Sequence, residues 1–168
     1  QALLTAKHIS ELGLKFYTIY TSPLIRAHRT AEIISDYLNL EKPTVLQSLI
    51  ERDFGVMTGQ PVSKITEMCS PDIINTDAVT YFLSPDKAET FPDLIVRAKA
   101  LLNYLHEKHK EGEILLVSHG DIGKMLYASF YNLNWESVLT SFHFGNADIL
   151  LLSEDSPASE PHVFKQKQ

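Results

Sequence analysis

Apolar and polar positions along the 168-residue chain switch repeatedly between a helical and a strand period. Residues 1–12 place Leu4, His8 or Ile9, and Leu12 on one helical face, with Gly13 suited to a C-terminal cap. Residues 16–21, rich in aromatic and β-branched side chains, predict a strand. It ends at Ser22-Pro23, an N-cap residue followed by proline at a first helical position. A helix follows over residues 24–39, burying Ala27, Ala31, Ile34 and Leu38, until Lys42-Pro43 breaks it. Residues 45–50 read as a short strand and 51–59 as a loop with two glycines. Between 61 and 85 the periodicity fades, and short apolar stretches among Pro, Ser and Asp suggest brief helices. Residues 92–110 form a long amphipathic pattern, with Leu94 or Ile95, Ala98, Leu101, Leu102 and Leu105 turned inward. Residues 113–118 are almost continuously apolar, as in a strand buried on both faces. His119-Gly120 then turns into a helix over 121–131. One more helical turn at 135–139 and a last strand within 141–152 complete the pattern. Strands alternating with helices of this length predict an α/β domain with a mostly parallel sheet, spanning residues 1–152, and a polar tail over 153–168.

Composition narrows the functional classes. Hydrophobic residues make up 44% and charged residues 21%, which excludes a disordered chain. Fifteen Lys and Arg against twenty-one Asp and Glu give a net charge of −6, a sign that repels long nucleic acids. It does not repel a small anion met by a few local cations. The single cysteine, Cys69, excludes an internal disulfide and suggests a reducing compartment such as the cytoplasm. Apolar runs stop at about five residues, so no membrane association is expected.

Two strand-to-helix junctions share one geometry. At the first, Thr21-Ser22-Pro23 ends a strand and Arg26 lies in the first turn of the next helix; at the second, Val117-Ser118 is followed by His119-Gly120. Ligands of open α/β sheets gather at the carboxyl ends of strands. Helix N-termini there carry free N–H groups and partial positive charge, which suits phosphate. Arg26 can add a bidentate guanidinium, His119 a titratable donor, and Gly120 a close backbone approach. Glu51, beside Gly55 and Gly59, adds a carboxylate able to shuttle a proton. Arg52 and Asp53, which follow it, read by default as an exposed charge cluster. His8, His28, His106, His109, His143 and His162 read as scattered surface residues without a metal-ligand pattern. Cys69 reads as a spectator.

The segment 22–31, Ser-Pro-Leu-Ile-Arg-Ala-His-Arg-Thr-Ala, resembles the S-P-L-x-R-A-x-x-T-A element of the histidine phosphatase superfamily, the phosphoglycerate mutase-like proteins. Glu51-Arg52-Asp53-Phe54-Gly55 is similar to its E-R-x-[YF]-G element. Val117-Ser118-His119-Gly120 resembles its second-histidine motif, and Gly145-Asn146-Ala147 the turn before its last core strand. The resemblance implies a three-layer α/β/α fold and phosphomonoester hydrolysis in two steps through a phosphohistidine. It implies catalytic roles for His119, Glu51 and Arg26, with Arg26, His119 and Gly120 on the phosphate, and no metal or cofactor. A small phosphorylated substrate is the expected partner; oligomeric state is left open.

Two departures matter. The superfamily's nucleophilic R-H-G motif is absent from these residues, so the nucleophile is expected upstream of Gln1. The frequent G-x-x-E-G reads here Gly55-Val56-Met57-Thr58-Gly59, with Thr58 in place of the acid. Residues 56–93 contain only Lys64 and Lys87 as cations but six acids, which favours a phosphatase over a phosphoglycerate mutase. A non-catalytic module binding a phosphorylated ligand is the remaining alternative.

Overall fold

The computed structural model describes residues 1–157 and 162–165. The chain opens with α1 (Ala2–Glu11), β1 (Thr18–Thr21), α2 (Ile25–Leu38) and β2 (Thr44–Val45). An irregular stretch leads to α3 (Ile65–Cys69), β3 (Ile73–Asn75) and β4 (Thr80–Phe82). Then come α4 (Phe91–Lys108), β5 (Ile114–Val117), α5 (Gly120–Phe130), α6 (Trp135–Ser141), β6 (Ile149–Leu151) and β7 (His162–Phe164). The parallel sheet runs β2-β1-β5, and β3-β4 and β6-β7 are antiparallel pairs.

Strand alternation assigns the layers. Ile19, Leu115 and Val117 face one side of the sheet, where Ala6, Ile9, Ala31 and Ile34 of α1 and α2 cover them. Tyr20, Ile114 and Leu116 face the other, against Leu94, Ala98, Leu101 and Leu105 of α4 and Ile122 and Met125 of α5. The result is the expected α/β/α arrangement. At the start of α4, Thr90 and Asp93 form a reciprocal capping box.

Several local expectations are corrected. In α1 the buried residues are Thr5, Ala6 and Ile9, while Leu4 is 48% exposed and Leu12 is exposed as well. Small Ala6 and Ala31 let α1 and α2 pack closely, which rotates the leucines outward. Helix α2 starts at Ile25, close to the expected residue 24, but its N-cap is Leu24 rather than Ser22. The strand expected over 45–50 shrinks to two residues followed by a 3₁₀ turn, Gln47–Leu49. The 61–85 stretch holds the β3-β4 hairpin as well as a short helix. Strand β5 is only partly buried, because among the described residues it forms an edge of the parallel sheet. Residues 162–164, expected in a polar tail, pair with β6; residues 158–161 and 166–168 of that tail lie outside the described residues.

Leu101 lies in the middle of α4 and is buried in the larger core cluster. Leu101→Ala is expected to lower the free energy of unfolding by about 2–5 kcal/mol, read from urea melts.

Candidate active site

The site is built at the carboxyl end of the parallel sheet. β1 and β5 are paired with Thr21 opposite Val117, and the Ser22 N–H extends the ladder by donating to the Val117 carbonyl at 3.0 Å. That register sets the residues after each strand side by side. His119 Nε2 lies 2.7 Å from the Oγ of fully buried Ser22. The same hydroxyl accepts from the Leu24 N–H at 3.2 Å, so it both shapes the entry to α2 and holds the histidine. Ser118 Oγ donates to the Leu49 carbonyl at 2.6 Å, which draws the segment before Glu51 onto the same end. The two junctions and Glu51 expected from the sequence therefore meet.

Glu51 faces the N-terminus of α5. Its Oε1 accepts from the N–H groups of Arg52 at 2.9 Å and Ile122 at 3.3 Å, and its Oε2 from that of Asp121 at 3.5 Å. These bonds favour the carboxylate, yet burial and the neighbouring Asp121 charge outweigh them and raise its pKa above the ordinary value. The amides of Asp121 and Ile122 are thus already engaged by a protein carboxylate.

His119 shifts the other way. Burial, then Arg26, then Arg97 lower its pKa to about 4, so the imidazole is neutral near pH 7. Arg26 is exposed, and none of the ion pairs among the described residues involves it. Arg26 and the N-terminus of α5 supply local positive potential beside a neutral imidazole, on a chain of negative net charge.

Two arginines in this region carry more structure than sequence reasoning gave them. Arg52, read as part of an exposed cluster, is only 3% exposed. Its Nε donates to Asp121 Oδ2 at 2.7 Å and its Nη1 to the Glu89 carbonyl at 3.3 Å. Its guanidinium also lies over the rings of Phe54, Phe82 and Phe91 at 5.2, 4.5 and 4.3 Å. Arg97 pairs with both Glu89 oxygens at 2.8 and 2.6 Å and donates to the Ser48 and Ile50 carbonyls at 2.8 and 2.7 Å. It clamps the backbone immediately before Glu51. The available signal was local: Arg52 sits among a Glu, an Asp and a Phe, and Arg97 follows Glu89 by eight residues on the polar side of α4.

Gly55 adds a constraint of another kind. Its φ is +53°, and a Cβ there would overlap the Asp86 carbonyl, so the loop closes against residues 86–88 only with glycine. Helix α5 also carries Lys124, which is buried and was not singled out from the sequence. It donates to the carbonyls of Val138, Leu139 and Phe142 and so caps the end of α6. Burial lowers its pKa to about 8.

Among the other histidines, His109 is not a free surface group, since its Nε2 lies 2.8 Å from the Tyr20 hydroxyl. His8 and His28 are partly buried, and His8 Nε2 and His28 Nδ1 have no hydrogen-bond partner among the described residues. The His162 side chain lies outside the described residues. Cys69 is a buried free thiol. No helix among the described residues is long and apolar enough to cross a membrane.

Residues 1–162 match the family model of the histidine phosphatase superfamily (branch 1). An uncharacterized phosphatase of Bacillus subtilis is 33% identical over 121 residues, covering 71% of this chain and 55% of that protein. A 2,3-bisphosphoglycerate-dependent phosphoglycerate mutase of Bartonella tribocorum is 24% identical over 144 residues, covering 83% and 70%. Among solved structures, a mycobacterial glucosyl-3-phosphoglycerate phosphatase superimposes with a TM-score of 0.73 at 18% identity, covering 99% of this chain and 83% of its own. A phosphoserine phosphatase mutant of Entamoeba histolytica, in complex with phosphoserine, gives 0.63 at 19% identity, covering 96% and 77%. These structural likenesses concern the fold.

The raised pKa of Glu51 has a stability consequence of defined sign. The folded state holds this proton more tightly than the unfolded chain does. Its contribution is therefore complete below the ordinary glutamate pKa and falls as pH rises through the elevated one. Glu51→Gln, fixed in the neutral form, is expected to melt above the wild type at pH about 8 and to lose that advantage near pH about 4. Thermal unfolding across pH measures the difference; an advantage that grows toward acid would contradict the assigned shift.

Proposed function

Because the chain belongs to the histidine phosphatase superfamily, we propose that it is a phosphomonoester hydrolase working through a phosphohistidine. The observation that carries this reading is the meeting of His119, Arg26 and Glu51 at one end of the sheet. A histidine with two arginines acting on it stands there beside a buried carboxylate of raised pKa. Arg26 and His119 hold the non-bridging phosphoryl oxygens, and Gly120 lets the backbone approach them. An incoming phosphate dianion opposes the arginines' effect on His119 and favours its protonated, donating form.

The nucleophilic histidine is assigned to a segment ahead of Gln1. Among the described residues β5 has no neighbour on its outer edge, which supports that placement, since a further parallel strand paired there would end beside His119. Its ring nitrogen attacks phosphorus as the bond to the leaving oxygen breaks, and Glu51 delivers its proton to that oxygen. Glu51, now a carboxylate, takes a proton from the water that attacks the phosphohistidine, releasing phosphate and restoring both groups. The raised pKa of Glu51 suits a group that must begin protonated.

Relatives with mutase names make phosphoglycerate mutase-type transfer the second reading. A mutase needs spare cations for a second anionic group. Of the two lysines between residues 56 and 93, Lys64 is paired with Glu67 at 2.6 Å and Lys87 is exposed in a loop. That scarcity supports hydrolysis.

Arg26→Ala and His119→Ala are each expected to lower kcat/KM for phosphomonoester hydrolysis by about 10²–10⁴-fold while far-UV CD and melting stay near wild type. Unchanged kinetics in His119→Ala would remove it from the site. Glu51→Gln should slow esters of poorly acidic alcohols far more than 4-nitrophenyl phosphate, whose leaving group needs no proton. Equal slowing across a leaving-group series would exclude Glu51 as the acid.

A further inference from the structure

A cavity of about 500 Å³ opens beside the site, with Arg52 and Asp121 in its wall. The Glu51 carboxyl accepts from the backbone N–H groups of both residues, at 2.9 and 3.5 Å, so the proposed acid lies against this wall of the cavity. The β3-β4 hairpin and its turn supply much of the remaining lining. A small core of Met57, Ile65, Cys69 and Phe82 anchors the hairpin, and Ile65 and Phe82 of that core also reach the cavity. The volume accommodates a substituted benzene ring with room to spare.

The lining is largely apolar, with Phe54, Val62, Ile65, Val79 and Phe82 among its residues. Its charged members are Arg52, Asp77 and Asp121, one cation against two carboxylates. The cation is committed: Asp121 and the Glu89 carbonyl take its N–H groups, and three aromatic rings cover its faces. Asp77 is exposed in the hairpin turn and no ion pair among the described residues neutralises it. A carboxylate or second phosphate entering here would lose its water without gaining a counter-charge.

Resting on the hydrolase reading above, we propose that this cavity receives the leaving alcohol and selects neutral, apolar or aromatic phosphomonoesters over those bearing a second anionic group. The apolar walls take the organic part, and Asp77, whose charge no ion pair among the described residues offsets, repels anionic substituents.

The test uses the full-length protein and two esters of nearly equal size, 3-carbamoylphenyl phosphate and 3-carboxyphenyl phosphate, with phenyl phosphate alongside. kcat/KM for the carbamoyl and phenyl esters is expected to exceed that of the carboxyl ester by about tenfold or more. Asp77→Lys, a change at an exposed turn, should narrow the carbamoyl-to-carboxyl ratio by several-fold, and added salt should weaken that effect. Equal or faster hydrolysis of the carboxyl ester overturns the proposal. A ratio unmoved by Asp77→Lys places the discrimination outside this cavity and overturns it too. If none of the three esters is hydrolysed, the hydrolase reading falls and takes this assignment with it.

Discussion

The site depends on the register of one parallel strand pair. With Thr21 opposite Val117, the first residues beyond each strand leave the sheet at the same level, and Ser22 meets His119. A slip of β1 by one residue would turn Tyr20 from the α4-α5 side to the α1-α2 side and carry Ser22 away from His119. The two covering layers prevent this by different means. Ala6 and Ala31 allow close helix contact on one side, whereas Leu94, Leu101 and Met125 fill the other with larger side chains. Packing far from the site thus fixes a contact of 2.7 Å within it.

Among the described residues, two of the arginines around that contact are ion-paired and Arg26 is not. Arg52 is held by Asp121, and Arg97 by Glu89. These pairs are largely shielded and join separate chain segments: Arg97 ties α4 to the Ser48 and Ile50 carbonyls, and Arg52 ties the loop after Glu51 to α5. Leaving a buried guanidinium without its partner is costly, so the pairs act as geometric clamps more than as sources of net stability. Arg26 has no such partner among the described residues and is exposed in the first turn of α2. A small anion can therefore find an uncommitted cation here although the whole chain carries −6.

The α/β class, the parallel sheet and the inward face of α4 were legible because period and length agreed over many residues. Glu51, His119 and Arg26 were legible as neighbours because strand ends in such sheets converge. What escaped the sequence depended on contacts distant along the chain. Arg52 looked exposed beside Glu51 and Asp53, and only Asp121, 69 residues later, and three aromatic rings make its burial tolerable. Lys124 interrupts an apolar helix face, and its partners are carbonyls that no side-chain pattern encodes. The leucines of α1 misled because closeness of approach, set by Ala6 and Ala31, overrode hydrophobicity in choosing the buried face.

Glu51 and a bound phosphoryl group would both be drawn to the N-terminus of α5. In the structure the carboxylate already accepts from three amides, two of which, Asp121 and Ile122, belong to that helix terminus. A dianion arriving beside His119 would bring like charge toward a carboxyl whose pKa burial and Asp121 already raise. Under the proposed reaction, substrate binding therefore drives proton uptake at Glu51, and at His119 as well, since the anion opposes the two arginines. One event prepares the acid for the leaving oxygen and the cation for the transferring phosphoryl. When the alcohol departs with its proton, Glu51 is again a carboxylate on the same helix terminus, held by backbone amides in position to accept a proton from water. The buried carboxylate, costly as a charge in the resting protein, is suited to both halves of the cycle by the same surroundings that raise its pKa.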